Sequence, residues 1–394
     1  MQKRIACLDL DAFFVEAALL EHPELRGRPV AVGGMSARAI VCSASYEARA
    51  YGVSSAMPVW LARNRCPELR LLPIPANISS LSERVHQLLQ IYCPVVEQAS
   101  VDEFYLDFTG CDRIYRNNLD LAEMLANVIG RETGLPSTVG FSTSKLAAKI
   151  ASNLGKPRGI LEIVPGAERN FLSHLPVKEI PGIGPKLQAA LHSMGVDYVS
   201  EILMLPSEAW RAAFGKTGDY IFSAAQGICG SEVVASDKKP IRKGISRDTT
   251  LQEDTASISV LSSHLSRLVE KAAYQLQNEQ LTCACLTVKL KYSDFVTKTR
   301  AMTIARTDRE KDLYEAAVKL FTRLFQRRVK IRMIGVLLGS IQSGGITPDL
   351  WDVLQPECKK NLPDAIKIIR ARFGFNSLLR MRSIVKDERK GRNV

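Results

Sequence analysis

Apolar residues follow two rhythms along this chain, one of strands and one of helices. The run KRIACLDL (residues 3–10) reads as a buried strand, apolar from Ile5 onward and broken there only by Asp9. In ISSLSERVHQLLQIY, Leu81, Val85, Leu88, Leu89 and Tyr92 fall on one helical stripe. PVVEQA and EFYLDF read as two strands joined by a tight link. Leu121, Met124, Leu125, Val128 and Ile129 then form a second helical stripe, and STVGFS closes the segment as a strand. The predicted order is β-α-β-β-α-β, the ferredoxin-like unit. Residues 12–74 interrupt it as an insertion rich in Ala, Gly and Arg, expected to be helical. In this unit the third strand lies antiparallel beside the first, which brings Asp9 to Asp102 and Glu103 by topology.

A Pro- and Gly-marked shift follows. LPVKEIPGIGPKLQAALHSMGV reads as helix, glycine-rich turn, helix, and the chain stays helical to about Gly230. The polar stretch ASDKKPIRKGISR carries Lys238, Lys239, Arg242, Lys243 and Arg247. Beyond it the β-α-β-β-α-β pattern recurs, with a long helix near Ile258 to Gln277, the strands CACLTVKLKY and TRAMTIAR, the helix EKDLYEAAVKLFTRLFQ and the strand IRMIGVLLGSI. Alternation in CACLTVKLKY sets Leu286, Val288 and Leu290 on one face and Thr287, Lys289 and Lys291 on the other. One face packs and the other is basic. From Gln342 onward the chain is expected to be mobile in part.

Length and composition narrow the class. A chain of 394 residues suggests two to four domains. No apolar run reaches the roughly 18–20 residues of a membrane helix. The apolar stretch near the start holds two Asp and no small-residue cleavage site, so secretion is not expected. Nine Cys without a CxxC pair point to reduced thiols and a cytoplasmic setting. The five His never fall at metal-ligand spacing. The net charge of +12 suits a polyanion such as nucleic acid, although charge alone fits a merely soluble basic protein equally well.

The acids carry the chemistry. Three carboxylates converging on one point repel one another, and a divalent cation relieves the repulsion. Oxygen ligands with no His or Cys nearby favour magnesium or manganese over zinc. Such a cluster suits two-metal, in-line phosphoryl transfer. The bland alternative is that Asp102 caps a turn and Glu103 is solvated at a strand end. Asp11, beyond the strand end, could ligate or could cap the helix that begins near Phe13. Asp107 lies several residues along its strand, out of reach. Both stay outside the expected metal set.

Five stretches in order, DLDAFF, ASYEARAYGVSSAMP, SVDEFYLD, VGFSTSKLAAKIASNLGKPRGI and IPGIGPK, resemble the Y-family translesion DNA polymerases, nearest to the bacterial polymerase IV (DinB-like) branch. The resemblance runs from about Arg4 to Ser340 and implies an α+β, multidomain, right-hand polymerase fold. Its ferredoxin-like palm would span 1–11 and 75–165, with a fingers insertion at 12–74. An all-α helix-hairpin-helix thumb would cover 166–232, a basic linker 233–245 and a DNA-binding little finger 246–341. The tail, 342–394, would hold a candidate clamp-binding peptide.

Further roles follow from the resemblance. Asp9, Asp102 and Glu103 would hold two Mg²⁺ ions, with Mn²⁺ as a substitute and the Leu10 carbonyl as a further ligand. Phe14 would lie beneath the incoming sugar and reject a 2′-hydroxyl. Tyr46, Arg49 and Lys156 would contact the triphosphate of a dNTP, and Cys42 and Ser43 would roof the nascent base pair. Gly182, Gly184 and Lys186 in the hairpin turn, with Lys145, Lys149, Arg242, Lys243, Arg247, Lys289 and Lys291, would contact primer–template DNA. In ITPDLWD, Leu350 and Trp351 match the apolar pair of a sliding-clamp peptide, but Thr347 replaces its usual Gln. The implied activity is error-prone, template-directed synthesis past lesions by a monomer without a proofreading domain. The rivals are a catalytically silent DNA-binding paralogue, a UmuC-like subunit and a nucleotidyl cyclase. GxG alone usually marks a turn, no strand precedes it, and FGKTGD lacks the first glycine of a P-loop.

Overall fold

The computed structural model describes residues 2–228, 230–235, 242–344 and 357–384, with backbone alone for 357–364. The chain divides into two compact units, Met1–Lys239 and Pro240–Val394. Among the described residues no helix is long and apolar enough to cross a membrane.

The first unit opens with strand β1 (Ile5–Leu10), which runs into helix α1 (Phe13–Glu21). Residues after α1 form strands β2 (Val30–Gly33) and β3 (Val41–Ala44), short helices α2 (Tyr46–Ala50) and α3 (Val59–Arg65), and strand β4 (Arg70–Leu72). This insertion was expected to be helical, but it contains a three-stranded sheet in the order β3-β2-β4. Strands of three or four residues are too short to display a period, which is why VAVG, VCSA and RLL escape the pattern. A separate apolar cluster, including Val41, Val53, Val59 and Ala62, holds this subdomain together.

Helix α4 (Ile78–Tyr92), strands β5 (Val95–Gln98) and β6 (Glu103–Asp107), helix α5 (Asn118–Thr133) and strand β7 (Ser137–Ser142) complete the expected β-α-β-β-α-β unit. Helix α6 (Lys145–Gly155) and strand β8 (Ile160–Glu162) extend it. The sheet order is β5-β6-β1-β7-β8, with β1 antiparallel to both β6 and β7. Alternation along β1 divides its duties. Ala6, Leu8 and Leu10 enter the main core with Val85, Leu89, Leu121 and Leu125 from the two helices. On the other face Ile5 and Cys7 pack with Tyr105 and with Ala148 of α6. Helix α6 comes this close because Gly140 of β7 has no side chain. A Cβ there would stand 2.2 Å from the Ser152 backbone nitrogen. Asp9 lies at the end of that second face, close to α6.

The remaining first-unit helices are α7 (Glu168–Ser173), α8 (Pro185–Ser193), α9 (Val199–Ile202), α10 (Ser207–Phe214) and α11 (Lys216–Ala225). They enclose their own core around Trp210, whose indole N–H donates to the Ile202 carbonyl at 2.8 Å.

The second unit has strand β9 (Gly244–Thr255), helix α12 (Ile258–Asn278), strands β10 (Leu281–Tyr292) and β11 (Thr297–Thr307), helix α13 (Glu310–Leu324) and strand β12 (Ile331–Gly339). Its sheet order is β11-β10-β12-β9, and a short strand β13 (Gln342–Ser343) pairs with the start of β10. Both helices cover one face over a core that includes Leu265, Leu286, Val288, Leu290, Leu320 and Ile334. β9 begins inside the stretch read from sequence as linker.

The segment expected to be mobile in part contains helix α14 (Glu357–Phe373) and two short 3₁₀ turns, Phe375–Ser377 and Met381–Ser383. It is bolted to α12. The Arg370 guanidinium pairs with Glu270, and the two residues are only 7% and 1% exposed. Ser383 donates to the other Glu270 oxygen at 2.8 Å, and Arg370 also donates to the Leu378 carbonyl at 2.8 Å. A buried charge is tolerated only with such compensation. The anchoring residues are scattered polar ones, so no apolar stripe announced them.

Candidate active site

β1 and β6 place Asp9 directly opposite Glu103 in antiparallel register. Asp102 stands one residue earlier, and the Leu10 N–H donates to its carbonyl at 2.9 Å, locking the end of β1 to the turn before β6. Ser100 shapes that turn. Its hydroxyl accepts from the backbone N–H groups of Asp102 and Glu103 at 3.2 and 3.1 Å and donates to the Asp102 carboxylate. Two carboxylates distant in sequence therefore face each other across neighbouring strands, with a third at the adjoining turn. Asp107 pairs with Ile5 at the far end of β1, away from the cluster.

Two lysines of the α6 region answer this negative charge. Lys156 Nζ sits 2.6 Å from Asp9, and Lys149 pairs with Glu103. Even so, burial lifts the Asp9 carboxyl to about 6, with Asp102 and Glu103 adding to the rise and Lys156 opposing it. Burial, aided by Glu103 and Asp9, also pushes the Cys7 thiol far above its usual range, so this cysteine beside the acids is inert. Three carboxylates, Asp9, Asp102 and Glu103, thus stand against the two lysines Lys149 and Lys156. The site's donors are all oxygens, the set that hard divalent cations prefer.

Asp11 has a different task. It is almost fully buried and accepts from Thr138 Oγ1 at 3.0 Å, the Arg158 N–H at 2.8 Å and the Tyr46 hydroxyl at 3.2 Å. It therefore ties the insertion to β7 and to the loop after α6. It does not cap α1, whose N-cap is Ala12 without a side-chain bond. Sequence reasoning left Asp11 undecided and overlooked Ser100, since neither belongs to a periodic pattern.

Around the acids, Phe13 is buried in the core, whereas its neighbour Phe14 keeps part of its ring open. The two rings meet edge to face at 5.7 Å. Arg49 donates to the Ala44 carbonyl at 3.0 Å and lies 4.6 Å over the Tyr46 ring, so its guanidinium is held in place. Burial and the neighbouring Asp11 raise the Tyr46 phenol to about 12, which keeps it a neutral donor. Cys42 and Ser43 lie on β3.

The basic residues expected along DNA are dispersed. Lys145 is drawn inward, 2.7 Å from Glu97 and 4.6 Å over the Tyr105 ring, while Lys149 belongs to the acid cluster. Gly182 takes a positive φ of 93°, Gly184 opens α8, and both are exposed together with Lys186. Arg242 pairs with Glu279 at 2.7 Å, and Lys243 is exposed. Arg247 stands opposite buried Val336 in the sheet register and donates to Gln275 of α12, which sets it on the helical side. Lys289 and Lys291 lie on the opposite, open face. There Lys289 Nζ reaches 2.6 Å to Asp248 across Gly335 of the intervening strand. A Cβ on Gly335 would fall 1.7 Å from the Asp248 carboxylate, so only glycine admits that bridge. Lys291 rests 5.1 Å over the exposed Phe295 ring. Leu350 and Trp351 lie outside the described residues.

Comparison with known proteins finds related families along most of the chain. The impB/mucB/samB family profile matches residues 8–153, the IMS family HHH motif matches 165–196, and the impB/mucB/samB C-terminal domain matches 242–349. A DNA polymerase IV of Desulfatibacillum aliphaticivorans is 34% identical over 381 residues, covering 94% of each chain. A Y-family DNA polymerase chimera of Dbh and Dpo4 superposes with a TM-score of 0.76 at 27% identity, over 86% of this chain and 100% of that one. The insertion ternary complex of Dbh DNA polymerase, also 27% identical over the same shares, gives 0.60.

Proposed function

The chain belongs to the Y-family DNA polymerases of the DNA polymerase IV kind, and we propose that Asp9, Asp102 and Glu103 form the catalytic centre of its nucleotidyl transfer. It is a DNA-directed DNA polymerase that carries out translesion synthesis, with DNA and nucleotides as substrates, and its family depends on divalent metal ions. Here the metal is Mg²⁺, two ions per site, with Mn²⁺ able to substitute. The three carboxylates and the Leu10 carbonyl would hold them. The surplus of carboxylates over lysines and the all-oxygen donors around Asp9 support that fit. When bound, such ions would supply Lewis acidity for the attacking primer 3′-hydroxyl and counter-charge for the departing pyrophosphate. The facing pair Asp9 and Glu103 is the observation that carries the reading.

The protein's own groups supply position. Lys156 and Lys149 balance the acids and hold their oxygens in the cluster. Lys156, with Tyr46 and Arg49, contacts the triphosphate, and Arg49 reaches it already oriented by Ala44 and the Tyr46 ring. Asp11 fixes Tyr46 from below. Small residues at Cys42 and Ser43 leave space above the nascent pair. The exposed part of Phe14 occupies the room a 2′-hydroxyl would need. Gly182, Gly184, Lys186 and the open-face lysines hold duplex through phosphates, without reading sequence. The protein acts as a cytoplasmic monomer, and Leu350 with Trp351 engages a sliding clamp.

Primer extension with Mg²⁺ and single nucleotides tests the reading. Phe14→Ala is expected to raise ribonucleotide incorporation while deoxynucleotide addition persists. Unchanged sugar discrimination would remove Phe14 from its role.

A further inference from the structure

Helix α3 shows two contrasting faces. Val59 and Ala62 are buried, and Cys66 just beyond its end continues the same inner stripe. On the outer side, Trp60 is 58% exposed, and Arg63 lies three residues on, hence beside it. The helix carries Arg63 and Arg65 and no acidic residue.

The loop before β3 is fastened to the start of this helix. Val41 donates to the Met57 carbonyl at 2.8 Å, Val59 donates to the Ala39 carbonyl at 3.0 Å, and Ile40 bridges Pro58. These bonds draw Ile40, itself 51% exposed, and Arg38 alongside the root of α3. An open indole with an arginine one turn along the same helix, next to a loop that carries an open isoleucine, gives this part of the insertion exposed apolar groups beside positive charge. Such a grouping marks an interaction site more than a solvated one. It begins two residues before Cys42, where the roof over the nascent pair is assigned.

We propose that Trp60 is a stacking platform for an unpaired template base ahead of the templating position, with Arg63 attending the phosphates of that single strand. Single-stranded nucleic acid offers the complementary chemistry, a flat π-face on each unit and a charge on each link. The inference rests on the polymerase reading, because that reading supplies a template whose unpaired end leaves the roof.

Tryptophan emission reports the contact directly. Of the chain's three tryptophans Trp210 is fully buried, and Trp351→Phe removes the third from the signal. In that background, a primer–template with a long 5′ overhang is expected to quench emission, while a blunt duplex of equal length leaves it unchanged. In the full chain, Trp60→Ala is expected to weaken binding of the overhang substrate about tenfold, in the range that one base stacked on an aromatic ring contributes. Binding of the blunt duplex should stay constant and Trp60→Phe should restore most of the loss. Equal quenching by both substrates, or an overhang affinity indifferent to Trp60→Ala, overturns the proposal. Primer extension by the unaltered chain, measured on the same substrate, separates that failure from a failure of the polymerase reading itself.

Discussion

The palm sheet and the sheet of the second unit are threaded by the same succession of elements, β-α-β-β-α-β, yet their strands lie in different orders. In the palm the first strand, β1, is central and pairs with the third and fourth. In the second unit the first strand, β9, is an edge and pairs only with the fourth, while the third, β11, is the opposite edge. Hydrophobicity decides the difference. Nearly all of β1 is buried, as a strand flanked on both sides and covered above and below must be. β9 and β11 bury few positions and carry charge, features that suit an edge and guard it against pairing with another chain. The apolar strands β10 and β12 take the middle.

That difference sets the chemistry each sheet can perform. Adjacent first and third strands let the palm bring Asp9 face to face with Glu103. Among its described residues the second unit has no such convergence, and its basic residues spread over both sides of the sheet, Arg247 toward the helices and Lys289 away from them. A single palm acid should therefore be indispensable, and a single lysine of the second unit should count for little. Asp9→Asn is expected to cut primer extension by about a thousandfold, the upper end for losing one group that stabilises a transition state. Because it removes a carboxylate that burial disfavours, the metal-free variant should melt no earlier than the parent. A variant that extended primers at even a tenth of the normal rate would dissolve the contrast.

The second unit concentrates its own indispensable contact away from the open face, in the Arg370–Glu270 pair. Arg370→Met leaves a buried carboxylate without its partner and should cost about 3–5 kcal/mol. Chemical unfolding followed by a probe in the second unit would register this as an earlier transition. Pairing the change with Glu270→Leu should recover most of the loss, since an apolar pair can replace a buried ionic one. If the single change were neutral, the C-terminal segment would be an ornament and not a part of the unit's core.

These two sheets also show how far a sequence can be read. The palm's strand order and its acid cluster were legible because the ferredoxin-like pattern, applied to a strongly apolar first strand, happens to specify the right neighbours. The same step applied to the second unit would have set β9 beside β11, and the polar character of both strands is the signal against it. Lys289 and Lys291 were correctly assigned to one face by alternation. Arg247 was grouped with them only by charge, and the sheet register separates it. The counter-charges, Lys149 on Glu103, Lys145 on Glu97 and Asp248 on Lys289, were not legible, because pairing across strands and helices depends on tertiary register and leaves no local period. The same holds for Ser100, Asp11 and the polar anchors of α14.

The smallest expected effects lie on the open face of the second unit, where Lys289 and Asp248 offer two changes of opposite sign. Both side chains are about one-third exposed, so their bridge contributes at most about 1 kcal/mol to stability, and neither change should alter folding. Binding is another matter if Lys289 meets DNA as proposed, because Asp248 then occupies the ammonium that a phosphate would take. On that reading Lys289→Ala removes one phosphate contact and is expected to weaken duplex binding slightly and to flatten the dependence of log affinity on log salt by about one unit. Asp248→Asn frees that ammonium and removes a negative charge from the same face. It should strengthen duplex binding by a few-fold at moderate salt and steepen the salt dependence, while primer extension on saturating substrate is unchanged. Titrating labelled primer–template at several salt concentrations measures both. If Asp248→Asn weakened binding, the bridge would be organising Lys289 for DNA instead of competing for it. The open face would then resemble the palm, where opposite charges position one another, more closely than its exposed ion pair suggests.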